Sequence, residues 1–512
     1  MSKFDEEPKD SLSTSKSLSS LSADSTESDT ERRFMKLFRT KSGVEKLFEL
    51  QKEYGIDNLS RDRSGSSFDK NDPMELEARS TIFKKPRTGL SKNFAALYMI
   101  ASFCGNGVTY LPYAMKLSGF VGYMMFLLVG MNSLYCGLLI GRCRMIVQEQ
   151  WPEYKDNLPS PYPKIGLKAV GKWMEYVVII VMNMAIFDWS TVLISNMASM
   201  LDESTPEQLK FCITLLVAGA VLLPFSMLGS LKDLWLIVLS NTFIMALFSF
   251  LLITAIFIDK DTYGQADYSL HHQGQEVASA FGMITFIVSS SGTYPIIHDE
   301  MINRNLYSQS VVESHIIVGI MYAPLPLIGY AAYGINVNPN ILQNLYGNHK
   351  MHALATFLKF LFVLKMMATF LVSLNPLFKN LESLLQVPPK FGFRRCLFRT
   401  SVIVLITLLG FLVQQNILIL EVVGAALLNI LAFQFPVIFY ICLVLRKGSN
   451  TRSRTISKKE WCFLIEVLLV SSFGGIAALV QNGIGMAELD WHFRKNCYTY
   501  FHTASNRSCI FC

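Results

Sequence analysis

The sequence predicts an all-α polytopic membrane protein, and three observations carry this prediction. Hydrophobic residues make up 51% of the 512 residues, more than a soluble protein of ordinary charge content contains. Apolar runs of about 20 residues, the length that crosses a bilayer as a helix, recur about eleven times. Two of these runs, the first and the sixth, are interrupted midway by glycine, serine or proline, which weaken a helix.

The apolar runs define a membrane domain over residues 91–484, in which each run supplies one predicted helix. The ninth and tenth runs are separated only by Gln414, Gln415 and Asn416. The predicted spans lie at 93–115, 119–147, 173–201, 209–229, 233–258, 277–298, 311–334, 352–378, 398–416, 418–446 and 460–484.

Lysine and arginine set the predicted orientation, because short cytoplasmic loops retain them. With the N-terminus inside, the inner loops contain the basic stretches 142–172, 379–399 and 446–459. We therefore expect a cytoplasmic N-terminus and an extracellular or luminal C-terminus, in the plasma membrane or in a lysosomal or vesicular membrane. The net charge of +7 reflects this topology and not nucleic acid binding. The outer loops contain isolated lysines: Lys116, Lys210, Lys260 and Lys350.

Residues 1–90 form a separate cytoplasmic region that is rich in serine and threonine and too poor in large apolar residues to build a core. We expect this region to be disordered and to offer a site for a cytoplasmic partner. Within it, apolar and basic residues of the segment 32–54 recur at near-helical spacing, which predicts a short amphipathic helix. Two placements carry equal weight: the helix lies on an anionic membrane surface, or it packs on the cytoplasmic face of the membrane domain.

The C-terminal tail, 485–512, has the features of an extracellular or luminal segment. Asn506 begins an Asn-Arg-Ser sequon, which is glycosylated only on that side of the membrane. Cys497, Cys509 and Cys512 crowd the same tail and favour a disulfide, whose pairing the sequence leaves open. The other seven of the ten cysteines lie in or beside spans, where we interpret them as small buried hydrophobic residues.

The first span contains a stretch that cannot remain helical. Gly105, Asn106 and Gly107 follow an apolar helix, and Pro112 comes shortly after them. Backbone groups freed at mid-bilayer depth are tolerated only where they line protein or a watery cavity. The interruption therefore indicates a solute site and not a simple anchor.

The sixth span is interrupted in a similar way, by a Ser-Ser-Ser-Gly-Thr stretch among Phe, Ile and Val. One interruption alone is as readily explained by close helix packing, where small residues are common. Two interruptions five spans apart are what two inverted five-helix repeats produce, and their half-helices would face the carboxylate and ammonium groups of an amino acid. The substrate-binding residues predicted on this basis are Gly105, Asn106, Gly107, Val108, Tyr110, Phe286, Ser289, Ser290, Ser291, Gly292 and Thr293.

Several motifs, in their order along the chain, resemble those of one family. The segment 105–114, which reads GNGVTYLPYA, resembles the first-span signature of the amino acid/auxin permeases. The Leu-Leu-Pro at 222–224, the Gly-Tyr-Ala-Ala-Tyr-Gly at 329–334 and Gly424 resemble later motifs of the same family. Within the family, the chain is most similar to the vesicular inhibitory amino acid transporters and the proton-coupled amino acid transporters, over residues 90–480.

The resemblance implies a leucine-transporter-like fold, in which two inverted repeats of five helices, each with a broken first helix, are followed by an eleventh helix. It also implies secondary active transport of small neutral amino acids by alternating access, driven by a proton gradient, with no cofactor and no enzymatic activity. Sodium-coupled relatives carry an asparagine four residues before the first glycine of the signature, where this chain has Ala101. We therefore expect transport to be independent of sodium.

Two ionisable residues deep in the spans are the predicted proton-coupling groups, because a charge in the membrane is costly and faces a cavity or a partner. Lys365 lies near the middle of the eighth span, where, by the resemblance, its ammonium group takes the place of the sodium ion of sodium-driven members. Asp188, in the third span, is a carboxyl group that can take up and release a proton. Lys365 is equally well interpreted as a structural lysine neutralised by a carbonyl or carboxylate, and for Asp188 a structural role as partner of a lysine is the more favoured interpretation. Lys359 is expected to reach water, and residues 298–300 to lie in a solvated loop.

Two functions stay open at the level of sequence. The first is a secondary transporter, whose partners are a small amino acid, protons and the lipid bilayer. The second is a nutrient sensor that binds the same ligand and signals through its cytoplasmic N-terminal region. Flux of a labelled amino acid across a membrane distinguishes the two. Histidines and cysteines do not recur at the spacing of a metal site or a catalytic set, which disfavours an enzyme.

Overall fold

The fold is built almost entirely from helices, as the apolar runs predict. In the first half of the chain the helices are α1 Lys92–Phe103, α2 Leu111–Gln150, α3 Pro161–Ala169, α4 Lys172–Asp202, α5 Phe211–Ser226 and α6 Trp235–Ile258. In the second half they are α7 Gly274–Val288, α8 Tyr294–Glu300, α9 Tyr307–Tyr322, α10 Pro324–Tyr333, α11 Ile341–Gly347, α12 His352–Leu384, α13 Phe393–Leu412, α14 Phe435–Leu445 and α15 Lys458–Glu488.

A computed structural model describes the chain over residues 89–103, 106–154, 158, 160–202, 211–227, 235–259, 266–268, 273–388, 392–412, 422–446 and 455–488. These residues belong to one compact unit, Arg87–Cys512. The predictions for the N-terminal region and its segment 32–54, for Gly105, and for Asn506 and the three cysteines of the C-terminal tail fall outside the described residues. For Asn106 and Ser291 the backbone alone is described.

The helices have the length and apolarity of membrane spans. Seven helical stretches in the described part of the chain are long and apolar enough to cross a bilayer, and the shorter α5 and α7 are also apolar. Large apolar side chains point outward from them: on α6, Phe243 is 68% exposed and Phe250 is 67% exposed. Such a surface suits contact with lipid, because contiguous apolar patches of this extent are rare on soluble monomers. The predicted all-α polytopic membrane protein is confirmed.

The second predicted span is not separate from the end of the first. A single helix, α2, runs through both and bends at Gly119, whose φ of 58° and ψ of −148° lie outside the helical range. Positive φ is readily adopted by glycine because it has no Cβ. The sequence-based boundary at residue 119 therefore marks a bend within α2.

The first and sixth spans are broken, as predicted. After α1, a short 3-10 turn at Asn106–Tyr110 leads into α2, which has proline in its first turn. After α7, extended backbone at Ser289 and a 3-10 turn at Ser291–Thr293 lead into α8, which also begins with proline. Proline fits the first turn of a helix, because the N–H group it lacks has no helical partner there.

The tenth span is distorted as well. It contains π-helical turns at Gly424–Leu428 and Ile430–Gln434 before α14 begins. A Cβ atom on Gly424 would overlap the Gly282 carbonyl oxygen and approach the Cβ of Phe286 to 2.7 Å. Glycine therefore allows the tenth span to approach α7 closely, and π-turns of this kind are frequent at functional sites.

The start of α1 and the end of α8, which are the ends farthest from the two breaks, are joined to each other. Leu90, before α1, pairs with Met301, after α8, as a parallel bridge. Its backbone N–H donates to the Glu300 carbonyl at 2.8 Å, and its carbonyl accepts from Ile302 N–H at 3.0 Å. The start of α1 and the end of α8 therefore lie at the same face of the molecule.

Candidate functional site

The two breaks meet inside the molecule. The Thr293 hydroxyl lies 3.3 Å from the Ser102 hydroxyl, which in turn donates to the Tyr98 carbonyl at 2.9 Å. The same Thr293 hydroxyl lies 3.1 Å from the Ser290 carbonyl. Ser102 precedes the first break and Thr293 ends the second, so this contact connects one interruption directly to the other.

An internal cavity opens beside this contact. Four predicted substrate-binding residues line it: Ser289, Ser290, Gly292 and Thr293. Its wall contains no Asp, Glu, Lys, Arg or His among the described residues, and it is mostly apolar. The remaining wall comes from α1 (Tyr98, Ser102), α4 (Met182, Ala185, Ile186, Trp189), α8 (Ile296, Ile297), α12 (Val372, Ser373, Pro376) and the π-turns (Leu428, Leu431, Ala432).

Two side chains of the cavity wall have unsatisfied polar atoms. The Trp189 indole N–H and the Ser289 hydroxyl are buried and have no hydrogen-bond partner. Burying a polar group without a partner is unfavourable, so such atoms are expected to be satisfied by water or a ligand. Together they offer two hydrogen-bonding groups in an otherwise apolar chamber.

An aromatic stack fixes one wall of the cavity. The ring of Trp189 stacks on Phe286 with centroids 4.6 Å apart and an angle of 27° between the planes. Phe286 is itself 1% exposed and lies behind Trp189. The residue predicted to shape the side-chain pocket therefore supports the pocket wall through Trp189.

The described side chains of the first break pack around the chamber without lining it. The space beside the Gly107 Cα is filled by the Ile287 side chain, which a Cβ on Gly107 would overlap. Val108 is completely buried. The Tyr110 hydroxyl donates to the Asn196 side-chain oxygen at 3.2 Å. In this conformation these residues hold the first break against α7 and α4, and their proposed contact with solute stays a prediction.

A tyrosine outside the membrane segments anchors another part of the wall. Tyr162, on α3, donates its hydroxyl hydrogen to the carbonyl of Leu431, a cavity residue. Burial raises the pKa of the Tyr162 phenol well above its usual value. A raised phenol pKa keeps the proton in place, so this anchor does not respond to pH in the physiological range.

The two predicted coupling residues lie outside the cavity wall. Lys365 is completely buried on α12, and its ammonium group lies 5.2 Å from the centre of the Phe362 ring. One helical turn away, Thr369 accepts a hydrogen bond of 3.2 Å from the Asn241 amide on α6. Asp188 is half-buried on α4, next in sequence to Trp189. Their roles in proton coupling stay predictions.

Three sequence-based expectations are wrong. Lys359 does not reach water: it is 2% exposed, and its ammonium group lies 3.8 Å from the centre of the Tyr346 ring. An aromatic face attracts a cation, which makes burial of the ammonium group less costly. Cys212 is not a simple buried thiol, because it forms a disulfide whose partner lies outside the described residues.

The third concerns residues 298–300, which are not a solvated loop. His298 is 1% exposed and stacks on Tyr307 with centroids 4.1 Å apart. Asp299 accepts hydrogen bonds from Arg144 at 2.7 Å and from Arg304 at 2.8 Å. The end of α8 is therefore built into the protein by a buried ion-pair cluster, which its polar sequence alone does not distinguish from a loop.

Sequence reasoning also missed the residues that complete the chamber. Trp189, Met182 and Ile186 lie in a stretch whose polar residues do not gather on one face, so nothing in their spacing shows which face of α4 meets the cavity. Ser102 and Ser373 are the exceptions, because a hydroxyl in an apolar span is a visible signal. Within the described ranges, His, Cys, Asp and Glu form no group of three that could hold a metal ion.

Two interrupted membrane helices around an internal cavity are the architecture of a membrane transporter. The chain belongs to the family of transmembrane amino acid transporter proteins, which matches residues 90–481. The family resemblance predicted from the motifs is confirmed, and the family consists of transporters and not enzymes.

Similar proteins are found in plants and yeast. Amino acid transporter AVT1B of Arabidopsis thaliana is 23% identical over 378 residues, which cover 70% of this chain and 66% of that protein. Vacuolar amino acid transporter 3 of Schizosaccharomyces pombe is 23% identical over 315 residues, which cover 59% of this chain and 46% of that protein. The chain thus spans less than two thirds of the length of each of these relatives.

Comparison with solved structures gives matches of low sequence identity. One is a nucleobase-cation-symport-1 family transporter in a closed conformation, with a TM-score of 0.47 and 13% identity, covering 78% of this chain and 93% of that chain. Another is a sodium-coupled sialic acid symporter in an outward-open state, with a TM-score of 0.49 and 8% identity, covering 79% of this chain and 91% of that chain.

Proposed function

We propose that this protein is a secondary active transporter that moves a small neutral amino acid by alternating access, with a proton gradient as its driving force and without sodium. The observation that carries the proposal is the cavity at which both helix breaks meet. The absence of charged side chains from its described wall favours a solute whose side chain is neutral.

The breaks suit the two charges of an amino acid backbone. Where a helix is interrupted, its last carbonyls lose their helical donors and the following N–H groups lose their acceptors. These groups are available to an ammonium group and a carboxylate, respectively. Ser289, Ser290, Gly292 and Thr293 are proposed to hold the solute backbone, and the apolar wall, with Trp189 supported by Phe286, is proposed to receive its side chain.

The first break is proposed to join the site during the transport cycle. Asn106, Gly107, Val108 and Tyr110 belong to a turn that packs on α7, so a movement of α1 against α7 would change the shape of the chamber. Gly105, outside the described residues, is proposed to join the site with them. Lys365 is proposed to supply the positive charge that sodium supplies in sodium-driven members. Asp188 is proposed as a proton carrier beside Trp189.

The name of one relative supports an acidic compartment as the location of this protein. One relative is named a vacuolar amino acid transporter, and a vacuole or lysosome maintains the proton gradient that the proposed mechanism uses. We propose that the chain lies in such a membrane, with its N-terminus in the cytoplasm and its C-terminus in the lumen.

Reconstitution tests the proposal. The full chain in proteoliposomes is expected to take up radiolabelled alanine, or another neutral amino acid from a panel, in a saturable way that depends on an imposed pH gradient. Replacing sodium with choline is expected to leave the rate unchanged. Saturable binding without flux under every gradient would favour the nutrient sensor over the transporter.

A further inference from the structure

We propose that His315, on α9, binds and releases the coupling proton, and that a chain of hydrogen bonds links its protonation state to the backbone at the second break. The proposal rests on the proton-driven transport proposed above and assigns its proton to a residue beyond Lys365 and Asp188. His315 lies outside the cavity wall, within the seventh predicted span, where an ionisable residue is costly.

The imidazole ring lies between the ends of both broken helices. It packs edge-on against Phe103, the last residue of α1, with centroids 4.7 Å apart and an interplanar angle of 85°. It also approaches Tyr294, the first residue of α8, with centroids 6.1 Å apart. A change in the charge or position of this ring is therefore transmitted to both interruptions.

The hydrogen bonds of the imidazole ring depend on which of its two nitrogens carries a proton. Nδ1 lies 2.8 Å from the Val311 carbonyl oxygen, which can only accept, so Nδ1 carries a proton. Nε2 lies 3.4 Å from the Ser133 hydroxyl oxygen. The Ser133 hydroxyl donates its single proton to the Val288 carbonyl at 3.0 Å. When the ring is an imidazolium, Nε2 donates to the Ser133 oxygen and the Ser133 proton stays on the Val288 carbonyl; when the ring is neutral with its proton on Nδ1, Nε2 can accept the Ser133 proton instead.

Loss of that proton changes the second break. In the neutral ring Nε2 becomes an acceptor, so the Ser133 hydroxyl proton turns towards it and leaves the Val288 carbonyl. Val288 is the last residue of α7, and its carbonyl is one of those that a helix end leaves without a helical donor. Protonation of His315 therefore caps the α7 break through Ser133, and deprotonation removes the cap.

Few other titratable groups bear on the ring. The helices packed against α9 include α1, α2, α6 and α10. The Tyr294 phenol contacts the ring, and its own hydrogen bond goes to the Ser290 hydroxyl at 2.8 Å. Lys92 of α1 pairs with Glu313, which is two residues before His315 and so faces another side of α9.

From α2 the contact is the neutral Ser133, and the described residues of α6 and α10 place no titratable group in hydrogen-bond or ring contact with His315. No carboxylate therefore holds the imidazolium form. The groups that can stabilise the imidazolium form are the Val311 carbonyl at Nδ1 and the Ser133 hydroxyl oxygen at Nε2.

The test separates coupling from transport itself. Proteoliposomes containing the full chain are assayed for exchange of radiolabelled alanine, or of the amino acid found above, at equal pH on both sides. They are then assayed for accumulation under a pH gradient of about one unit, with potassium and valinomycin holding the membrane potential at zero. One coupled proton corresponds to accumulation of about tenfold, since one pH unit is about 1.4 kcal/mol.

His315→Gln is expected to keep exchange and to lose the gradient-driven accumulation, because glutamine hydrogen-bonds but does not titrate. Ser133→Ala removes the acceptor of the Nε2 proton and is expected to shift the pH dependence of exchange to lower pH. His349→Gln, at an exposed histidine, is the matched control and is expected to behave as wild type.

Unchanged accumulation in His315→Gln, or an unchanged pH profile in Ser133→Ala, would overturn the assignment. Loss of exchange together with accumulation in a normally folded His315→Gln would also overturn it, because the residue would then serve binding or structure. Wild-type exchange without a response to the pH gradient would refute proton driving. Absence of both activities from the wild type would refute the transport proposal.

Discussion

At the scale of single residues, the site depends on glycines that allow close approach. A Cβ on Gly107 would overlap Ile287, and one on Gly292 would lie 2.6 Å from a methyl group of Leu431. Each glycine lies in a break and faces an apolar side chain of another span. The breaks are thus held in place by packing that tolerates no added methyl group, because protein interiors contain few voids.

Gly107→Ala is expected to lower uptake strongly and to destabilise the protein by about 1–3 kcal/mol, the usual cost of overpacking. The added methyl group overlaps Ile287, so Ile287→Ala in the same chain is expected to restore part of both losses. Uptake and thermal unfolding of the single and double variants measure this coupling.

Gly130→Ala is the matched control for Gly107→Ala. Gly130 lies in α2 with open space around its Cα, so the added methyl group meets nothing. Wild-type stability and uptake in Gly107→Ala itself would show that Ile287 does not hold the first break.

Lys365→Met is expected to stop both exchange and accumulation while the protein remains folded, because methionine keeps most of the side-chain volume and removes the charge. This combination differs from that expected of His315→Gln, which loses accumulation alone. Lys359→Met, at a second buried lysine of α12, is the matched control and is expected to retain transport. Transport at the wild-type rate in Lys365→Met would remove its ammonium group from the mechanism.

At the scale of elements, α8 is fixed at one end and irregular at the other. Its end is held by Asp299, which accepts from the completely buried Arg144 of α2 and from Arg304. Lys379 of α12 adds a contact to Glu300 at 3.1 Å. The start of α8, by contrast, adjoins the break at the cavity. Movement of α8 during transport therefore requires rearrangement of this ion-pair cluster.

Asp299→Asn is expected to destabilise the protein by about 3–5 kcal/mol, because it leaves a buried arginine without its counter-charge. Thermal unfolding of the purified protein measures the effect. Glu313→Gln breaks the more exposed pair with Lys92 and is expected to cost about 0–1 kcal/mol. Equal effects of the two substitutions would show that the Asp299 cluster does not anchor α8.

The positions of the breaks could be predicted from the sequence, but the walls of the chamber could not. Glycine, serine and proline are visible against an apolar background, so Gly107 and Gly292 indicated the interruptions directly. By contrast, the polar residues of α4 around Trp189 do not gather on one face, so the sequence does not show which of its faces meets protein and which meets lipid.

Charged residues were difficult for a different reason. Lys359 and Asp299 have the local sequence of groups near water, and only the tertiary fold brings the Tyr346 ring and the Arg144 guanidinium to them. His315 follows Glu313 and Ser314, so its local sequence does not single it out. Its importance arises from Ser133 and Val288, which are distant from it in sequence.

At the scale of the whole molecule, the described residues form one membrane domain with a cavity near the contact between its broken helices. The bridge from Leu90 to Met301 joins the start of α1 to the end of α8, so these two helices are expected to move together. The arrangement of ten helices as two inverted repeats of five, with an eleventh added, remains a prediction from the spacing of the breaks.

Glycosylation tests the orientation of the chain. Asn506→Gln is expected to remove one glycan, because the C-terminal tail is predicted to be luminal or extracellular. Gel mobility before and after glycosidase treatment measures the change. Asn58→Gln is the control, since its sequon lies in the predicted cytoplasmic region. A glycan at Asn58 and none at Asn506 would reverse the topology.

The most direct test of the central claim is a cryo-electron microscopy map of the full chain in lipid nanodiscs, saturated with the amino acid that it takes up. The account predicts density for that amino acid in the cavity, beside Thr293 and within reach of Trp189, with both helices interrupted around it. Continuous first and sixth helices, or amino acid density bound elsewhere with this cavity empty, would contradict the claim.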